Sequence, residues 1–192
     1  MNEEFKEEIN ETLGEVVNEA SGGFKKEFIE WAKAIIVAVV LALIIRNFIF
    51  TVVRVDGQSM FPTLEHNDRM IVWRLGYTPK QGDIVIFNPP GYPKKVYWVK
   101  RVIATEGQKV DINFETGTVT VDGQVLDEPY IHTPTDDFEG VYFPITVDPG
   151  CVFVLGDNRG VSKDSRSPEI GQIDCRQIVG KAIFLFFPGK DP

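Results

Sequence analysis

The chain has 192 residues, with 20 Lys and Arg against 28 Asp and Glu, for a net charge of −8. Residues 1–30 hold nine glutamates against three lysines, so the remainder is close to neutral. A near-neutral main body with no basic stripe excludes nucleic acid as a partner. The length suits one compact domain of about 140 residues plus appendages. His66, His132, Cys151 and Cys175 stand in no CxxC or HxxxH spacing, so no structural metal site is expected. Whether the two cysteines pair is left open.

Residues 3–20 place Phe5, Ile9, Leu13, Val16 and Val17 at helical spacing, with glutamates on the other face. Ser21-Gly22-Gly23 ends that pattern. The segment 1–30 reads as an acidic cytoplasmic tail, either a solvated helix or a docking helix.

Residues 31–50, WAKAIIVAVVLALIIRNFIF, are the only candidate for a membrane anchor. The uninterrupted apolar run from Ala34 to Ile45 is short for a span, and the flanks extend it. Trp31 suits an interface, and Lys33 and Arg46 can reach headgroups. Lys25 and Lys26 upstream favour a cytoplasmic N-terminus. A cleaved secretory signal would need a small-x-small site after the run, and Asn47-Phe48-Ile49-Phe50 follows instead. A buried core helix is the other rival. An uncleaved single-pass anchor in the cell membrane is expected.

From Thr51 the texture becomes short β-branched runs divided by Gly, Pro, Asn and Asp. Expected strands are Phe50–Asp56, Arg69–Leu75, Asp83–Phe87, Lys95–Ala104, Lys109–Asn113, Thr118–Val121, Cys151–Leu155 and Ile178–Phe186. Asp122-Gly123 predicts a tight primed hairpin turn. No long helical period appears, so the fold class is mainly β, with many turns.

Three polar segments carry chemistry. Ser59 lies between two strands in Gly57-Gln58-Ser59-Met60-Phe61-Pro62, where it is either a turn serine or a nucleophile. Lys100 alternates with Trp98 and Val102 on an apolar strand face. Burial there would depress its pKa and free its amine to accept a proton. The plain alternative is an edge-strand lysine that blocks aggregation. The third segment, Gly156-Asp157-Asn158-Arg159-Gly160-Val161-Ser162-Lys163-Asp164-Ser165-Arg166, is a dense polar loop without calcium-loop spacing.

Together, GQSMFPTL (57–64), YWVKRVIA (97–104) and GDNRGVSKDSR (156–166) resemble, in order, the boxes of bacterial type I signal peptidases of the single-anchor kind. The resemblance covers about residues 30–188. It implies coiled antiparallel sheets forming a catalytic core (51–106 and 145–192), with a small β subdomain inserted at 107–144. It also implies that Ser59 is the nucleophile, Lys100 the general base and Ser162 a group that orients Lys100. Asp157 would pair with Arg101, and Asp164 with Arg166. Met60 and Gly57 would help form the substrate cleft. The implied substrates are secretory preproteins, cut by a membrane-bound endopeptidase after small-x-small motifs, and the implied surroundings are a lipid bilayer with an extracytoplasmic catalytic domain. Neither metal nor organic cofactor is implied. One departure stands out: some relatives carry a serine where this chain has Gly57, which leaves backbone N–H groups to hold the oxyanion.

Two rivals remain at this level. Self-cleaving Ser–Lys regulators share the catalytic core but lack an anchor, so the Ala34–Ile45 run disfavours them. A membrane-anchored, non-catalytic β domain would be favoured if Ser59 and Lys100 lay far apart. A penicillin-binding-type enzyme is excluded, because residue 62 is Pro62 and not a lysine.

Overall fold

The computed structural model describes residues 11, 27–94 and 96–186. The expected amphipathic helix 3–20 lies outside the described residues except for Glu11. Residues 27–44 are α-helical, and a π-helical turn, Ile45–Ile49, follows. Among the described residues no helix is long and apolar enough to cross a membrane. Glu27, Glu30 and Lys33 occupy the first turns, and Phe50, the last residue of the expected anchor, opens a strand instead. The helix nevertheless exposes apolar side chains all around, Ile35, Val37, Val40, Leu41 and Ile44 among them.

The β unit contains two antiparallel sheets. Strands β1 (Phe50–Arg54), β2 (Arg69–Trp73), β3 (Ile84–Phe87), β4 (Trp98–Thr105), β9 (Cys151–Leu155), β10 (Ile173–Asp174) and β11 (Ile178–Phe186) form the larger one. Its order is β1-β2-β11-β3-β4-β9-β10. Strands β5 (Lys109–Asn113), β6 (Thr118–Val121), β7 (Gln124–Val125) and β8 (Ile145–Thr146) form the smaller, ordered β7-β6-β5-β8. The fold is mainly β with a curled antiparallel sheet. Register shifts in β4 and β11 supply local bends.

Alternation along β9 shows how the core is divided. Phe153 and Leu155 face a cluster with Ile103, Val110, Ile112, Val119 and Val121, which joins the two sheets. Val152 and Val154 face Val85, Phe87, Val102 and Ile173 on the other side. Cys151 packs with the first cluster and Cys175 with the second, and both thiols are free. The β6–β7 turn has positive φ at Asp122 (52°) and Gly123 (78°), the backbone a primed two-residue turn requires. β4 is a central strand, flanked by β3 and β9. Lys100 is therefore not an edge-strand gatekeeper.

Candidate active site

Ser59 sits half-buried in the turn after β1, and Lys100 projects from β4. The register Val85↔Lys100 and the neighbouring β9 surround the lysine with apolar strands. The side chain is 3 % exposed. Its Nζ lies 2.7 Å from Ser59 Oγ and 3.1 Å from the Val99 carbonyl oxygen, donating to both in the ammonium form. Once Lys100 is neutral, the contact with Ser59 can run the other way, from hydroxyl to amine. The Trp98 ring lies beneath the amine, 5.5 Å from its centroid.

Burial is the largest influence on this lysine and pulls its pKa down to about 8. Asp164 and Asp157 oppose that shift, and Arg166 adds to it. At neutral pH a usable fraction of Lys100 is thus neutral, which an exposed lysine could not supply.

The loop 156–166 closes over the pair from one side. Asn158 N donates to the Ser59 carbonyl (3.0 Å), and Asn158 Nδ2 donates to the Gln58 carbonyl (3.1 Å). Arg101 makes a two-pronged ion pair with Asp157, Nε to Oδ1 at 2.8 Å and Nη2 to Oδ2 at 2.6 Å. Thr63 Oγ1 donates to the same carboxylate at 2.5 Å. Arg166 and Asp164, both fully buried, make a second fork at 2.9 and 3.1 Å. Asp164 Oδ2 also accepts from Gly156 N at 3.0 Å. Both expected ion pairs are therefore present as geometry.

Ser162 departs from expectation. Its Oγ is buried and makes no hydrogen bond among the described residues. The hydroxyl packs against Gly156 instead of reaching Lys100. A Cβ on Gly156 would lie 2.1 Å from Ser162 Oγ and 2.5 Å from the Ser59 carbonyl oxygen. Gly156→Ala is accordingly expected to push the Ser59 turn away from Lys100 and cost about a hundredfold in the rate of any reaction that uses the pair, the scale of a 1 Å misplacement. Turnover kinetics on a folded variant would check this, and a rate within threefold of wild type would refute it.

Met60 is buried in the core beside Val55, Leu64 and Ile86 and also lines the cleft next to Ser59. That cleft, of about 220 Å³, runs past Val53–Asp56 on one side and Tyr97–Val99 on the other, with Lys163 at its rim. Gly57 has φ +100°, a conformation other residues adopt only with strain, although a Cβ there would meet open space. Its N–H donates to His66 Nδ1 at 3.1 Å.

The residues that sequence reasoning missed come from the segment between β7 and β8. Tyr130 lays its ring over the Arg101 guanidinium, 3.8 Å from the centroid. Glu128 accepts from the buried Arg159 at 2.6 Å, and Glu139 pairs with Arg166 at 3.0 Å. Thr63 and Asn158 were within the recognised boxes, but nothing about their spacing announced their partners.

The curled β frame thus holds the Ser59 hydroxyl against a buried lysine amine, with two buried or partly buried ion pairs behind them. The chain matches the family described as "Signal peptidase, peptidase S26" over residues 28–187, and it belongs to that family. It is similar to a signal peptidase I of Bacillus licheniformis, 39 % identical over 183 residues, covering 90 % of this chain and 96 % of that one. A probable signal peptidase I-1 of Synechocystis is 41 % identical over 166 residues, covering 81 % of each. A crystal structure of a signal peptidase I from Enterococcus faecalis V583 superposes with a TM-score of 0.46 at 26 % identity, covering 56 % of this chain and 98 % of that one. The protein is a peptidase of the signal peptidase I type.

Proposed function

We propose that this protein is a membrane-bound serine endopeptidase that removes N-terminal signal peptides from secretory preproteins, with Ser59 as nucleophile and Lys100 as general base. The observation that carries the reading is the 2.7 Å contact between Ser59 Oγ and a lysine amine whose pKa burial has lowered to about 8. Ser59 Oγ attacks the scissile carbonyl while its proton passes to Lys100 Nζ. The tetrahedral intermediate collapses, the C–N bond breaks, and Lys100 returns the proton to the leaving amine. A water then attacks the acyl ester, giving its proton to Lys100. Ser59 leaves with that proton, and the carboxylic product is released.

Ser162 Oγ makes no hydrogen bond to Lys100, so the orienting role falls to the Val99 carbonyl oxygen, 3.1 Å from Lys100 Nζ. The Arg101–Asp157 and Arg166–Asp164 pairs brace that loop. An extended substrate is assigned to the cleft between Val53–Asp56 and Tyr97–Val99, where Met60 limits depth. Gly57 leaves backbone N–H groups to stabilise the oxyanion. The apolar helix 27–44 and the following turn are assigned to the bilayer, N-terminus inside and β unit outside. Apolar exposure on every face of that helix supports this, since a helix hydrophobic all round belongs in a core or a membrane.

The test is cleavage of a preprotein by the full chain in detergent micelles, beside Ser59→Ala. Wild type is expected to release the signal peptide, and the variant to fall by at least about a thousandfold. Substrates with Ala, Val, Leu and Phe before the cut should be processed in decreasing order, because a large side chain overpacks a shallow pocket. Equal rates for Ala and Phe would remove the small-x-small assignment, and an active Ser59→Ala would remove the nucleophile.

A further inference from the structure

The segment between β7 and β8 does more than span a gap, because it runs along the catalytic loop and touches it repeatedly. His132 N donates to the Asp157 carbonyl at 3.0 Å, and Gly160 N donates to Thr133 Oγ1 at 3.1 Å. Val141 N donates to the Arg166 carbonyl at 3.1 Å. The last acidic contact is Glu139, whose carboxylate lies 3.0 Å from Arg166 Nη2. Arg166 is fully buried and forks onto Asp164, and Asp164 holds the N–H of Gly156. Gly156 in turn packs against Ser162 and the Ser59 carbonyl. An unbroken chain of contacts therefore leads from Glu139 to the nucleophile turn.

The charges along this path alternate. Asp164 and Arg166 nearly cancel each other, and Glu139 decides the sign of what remains. With Glu139 ionised the group carries a net negative charge, and with Glu139 neutral it carries none. The charged groups acting on Lys100 are Asp164, Asp157, Arg166 and Glu139. Those acting on Glu139 are Asp164, Arg166, Asp137 and Lys163.

We propose that Glu139 is a positioning residue for the Ser59–Lys100 pair, acting through Arg166, Asp164 and Gly156, and that its charge tunes how readily Lys100 gives up its proton. The proposal deepens the Ser–Lys reading above and rests on it for its catalytic meaning. Burial and the neighbouring Asp164 push the Glu139 carboxyl up to about 7, so its charge changes just below the range in which Lys100 must work. An ionised Glu139 holds the ammonium form of Lys100, and a neutral one releases it. As pH falls, Lys100 begins to take up its proton near 8, and protonation of Glu139 near 7 then weakens the hold on that proton, so the acid limb of the activity profile is shallower than for an isolated lysine.

The experiment follows Lys100 and Glu139 by NMR in the full-length protein in detergent micelles, with 13C-labelled lysine and glutamate. In wild type the Glu139 carboxyl should titrate near pH 7, and the Lys100 curve should bend in the same range. In Glu139→Gln, which keeps a side-chain acceptor for Arg166 and removes the charge, Lys100 should titrate at lower pH. The ratio of cleavage rate at pH 7 to that on the alkaline plateau should about double, with KM unchanged. Glu139→Asp should keep the wild-type titration, and Asp127→Asn, an exposed carboxyl of the same segment, should change nothing. A merely structural contact would lower stability in Glu139→Gln and leave the Lys100 curve where it was, which overturns the proposal. A wild-type Lys100 curve without the bend overturns it too, with no variant needed. If wild type cleaves no preprotein while Lys100 still shifts in Glu139→Gln, the coupling stands and the signal-peptidase reading falls.

Discussion

Replacing Lys100 by arginine should lower kcat by at least about a thousandfold, because a guanidinium stays protonated throughout the working range and cannot accept the Ser59 proton. In wild type the rate should climb through about pH 8 and hold into alkaline solution, following the neutral fraction of Lys100. Lys100→Met should be equally inactive and yet more stable at neutral pH. The folded protein holds this amine at about 8, against an ordinary value of 10.5. Between those two values the unfolded chain binds more protons than the folded one, so stability rises with pH across that window. Below pH 8 the folded state bears the whole cost of a buried ammonium, on the order of 3 kcal/mol. Lys100→Met should therefore gain up to about 3 kcal/mol at pH 7, and the gain should shrink toward zero above pH 10.5. Urea midpoints at the two pH values would show it. A variant less stable than wild type at pH 7, or an active Lys100→Arg enzyme, would contradict the base assignment.

Asp164→Ala should cost about 3–5 kcal/mol of folding stability, the usual penalty for stranding one half of a buried ion pair. Arg166 has no exposure to fall back on, and Glu139 can answer only one of its nitrogens. The double variant Asp164→Ala/Arg166→Met should recover much of the loss, since it removes the orphaned charge as well. Neither variant should recover activity, because Gly156 N loses its acceptor and the loop beside Ser59 loses its brace. Chemical denaturation of wild type and the three variants, including Arg166→Met alone, completes the cycle. A double variant no better than Asp164→Ala would mean that the pair is not stabilised as its geometry implies.

Much of the β unit was legible because its strands alternate or run apolar between strong turn residues. Lys109–Asn113, Thr118–Val121, Cys151–Leu155 and Ile178–Phe186 fall where the pattern puts them. The two-residue strands Gln124–Val125, Ile145–Thr146 and Ile173–Asp174 were invisible, since two residues have no period to read. Phe50–Arg54 and Arg69–Trp73 stop two residues short of expectation, as Val55 and Leu75 carry the apolar pattern past the last paired residue. At the site, Ser59 and Lys100 were readable only together with the third box, because each alone is an ordinary residue for its place. Glu128, Tyr130 and Glu139 were not readable at all. They lie in an irregular stretch, and their partners Arg101, Arg159 and Arg166 are identified only when the chain has folded back on itself.

The strand order has a consequence for how such an enzyme is made. Strand β11 is the last strand among the described residues, and it lies between β2 and β3 in the larger sheet. The turn bearing Ser59 belongs to the β1–β2 side, and Lys100 belongs to the β3–β4 side. A chain in which residues 178–186 have not yet paired has both Ser59 and Lys100 and no sheet ladder connecting the halves that carry them. Pairing of β11 is therefore the step that joins the two halves of the site within the sheet.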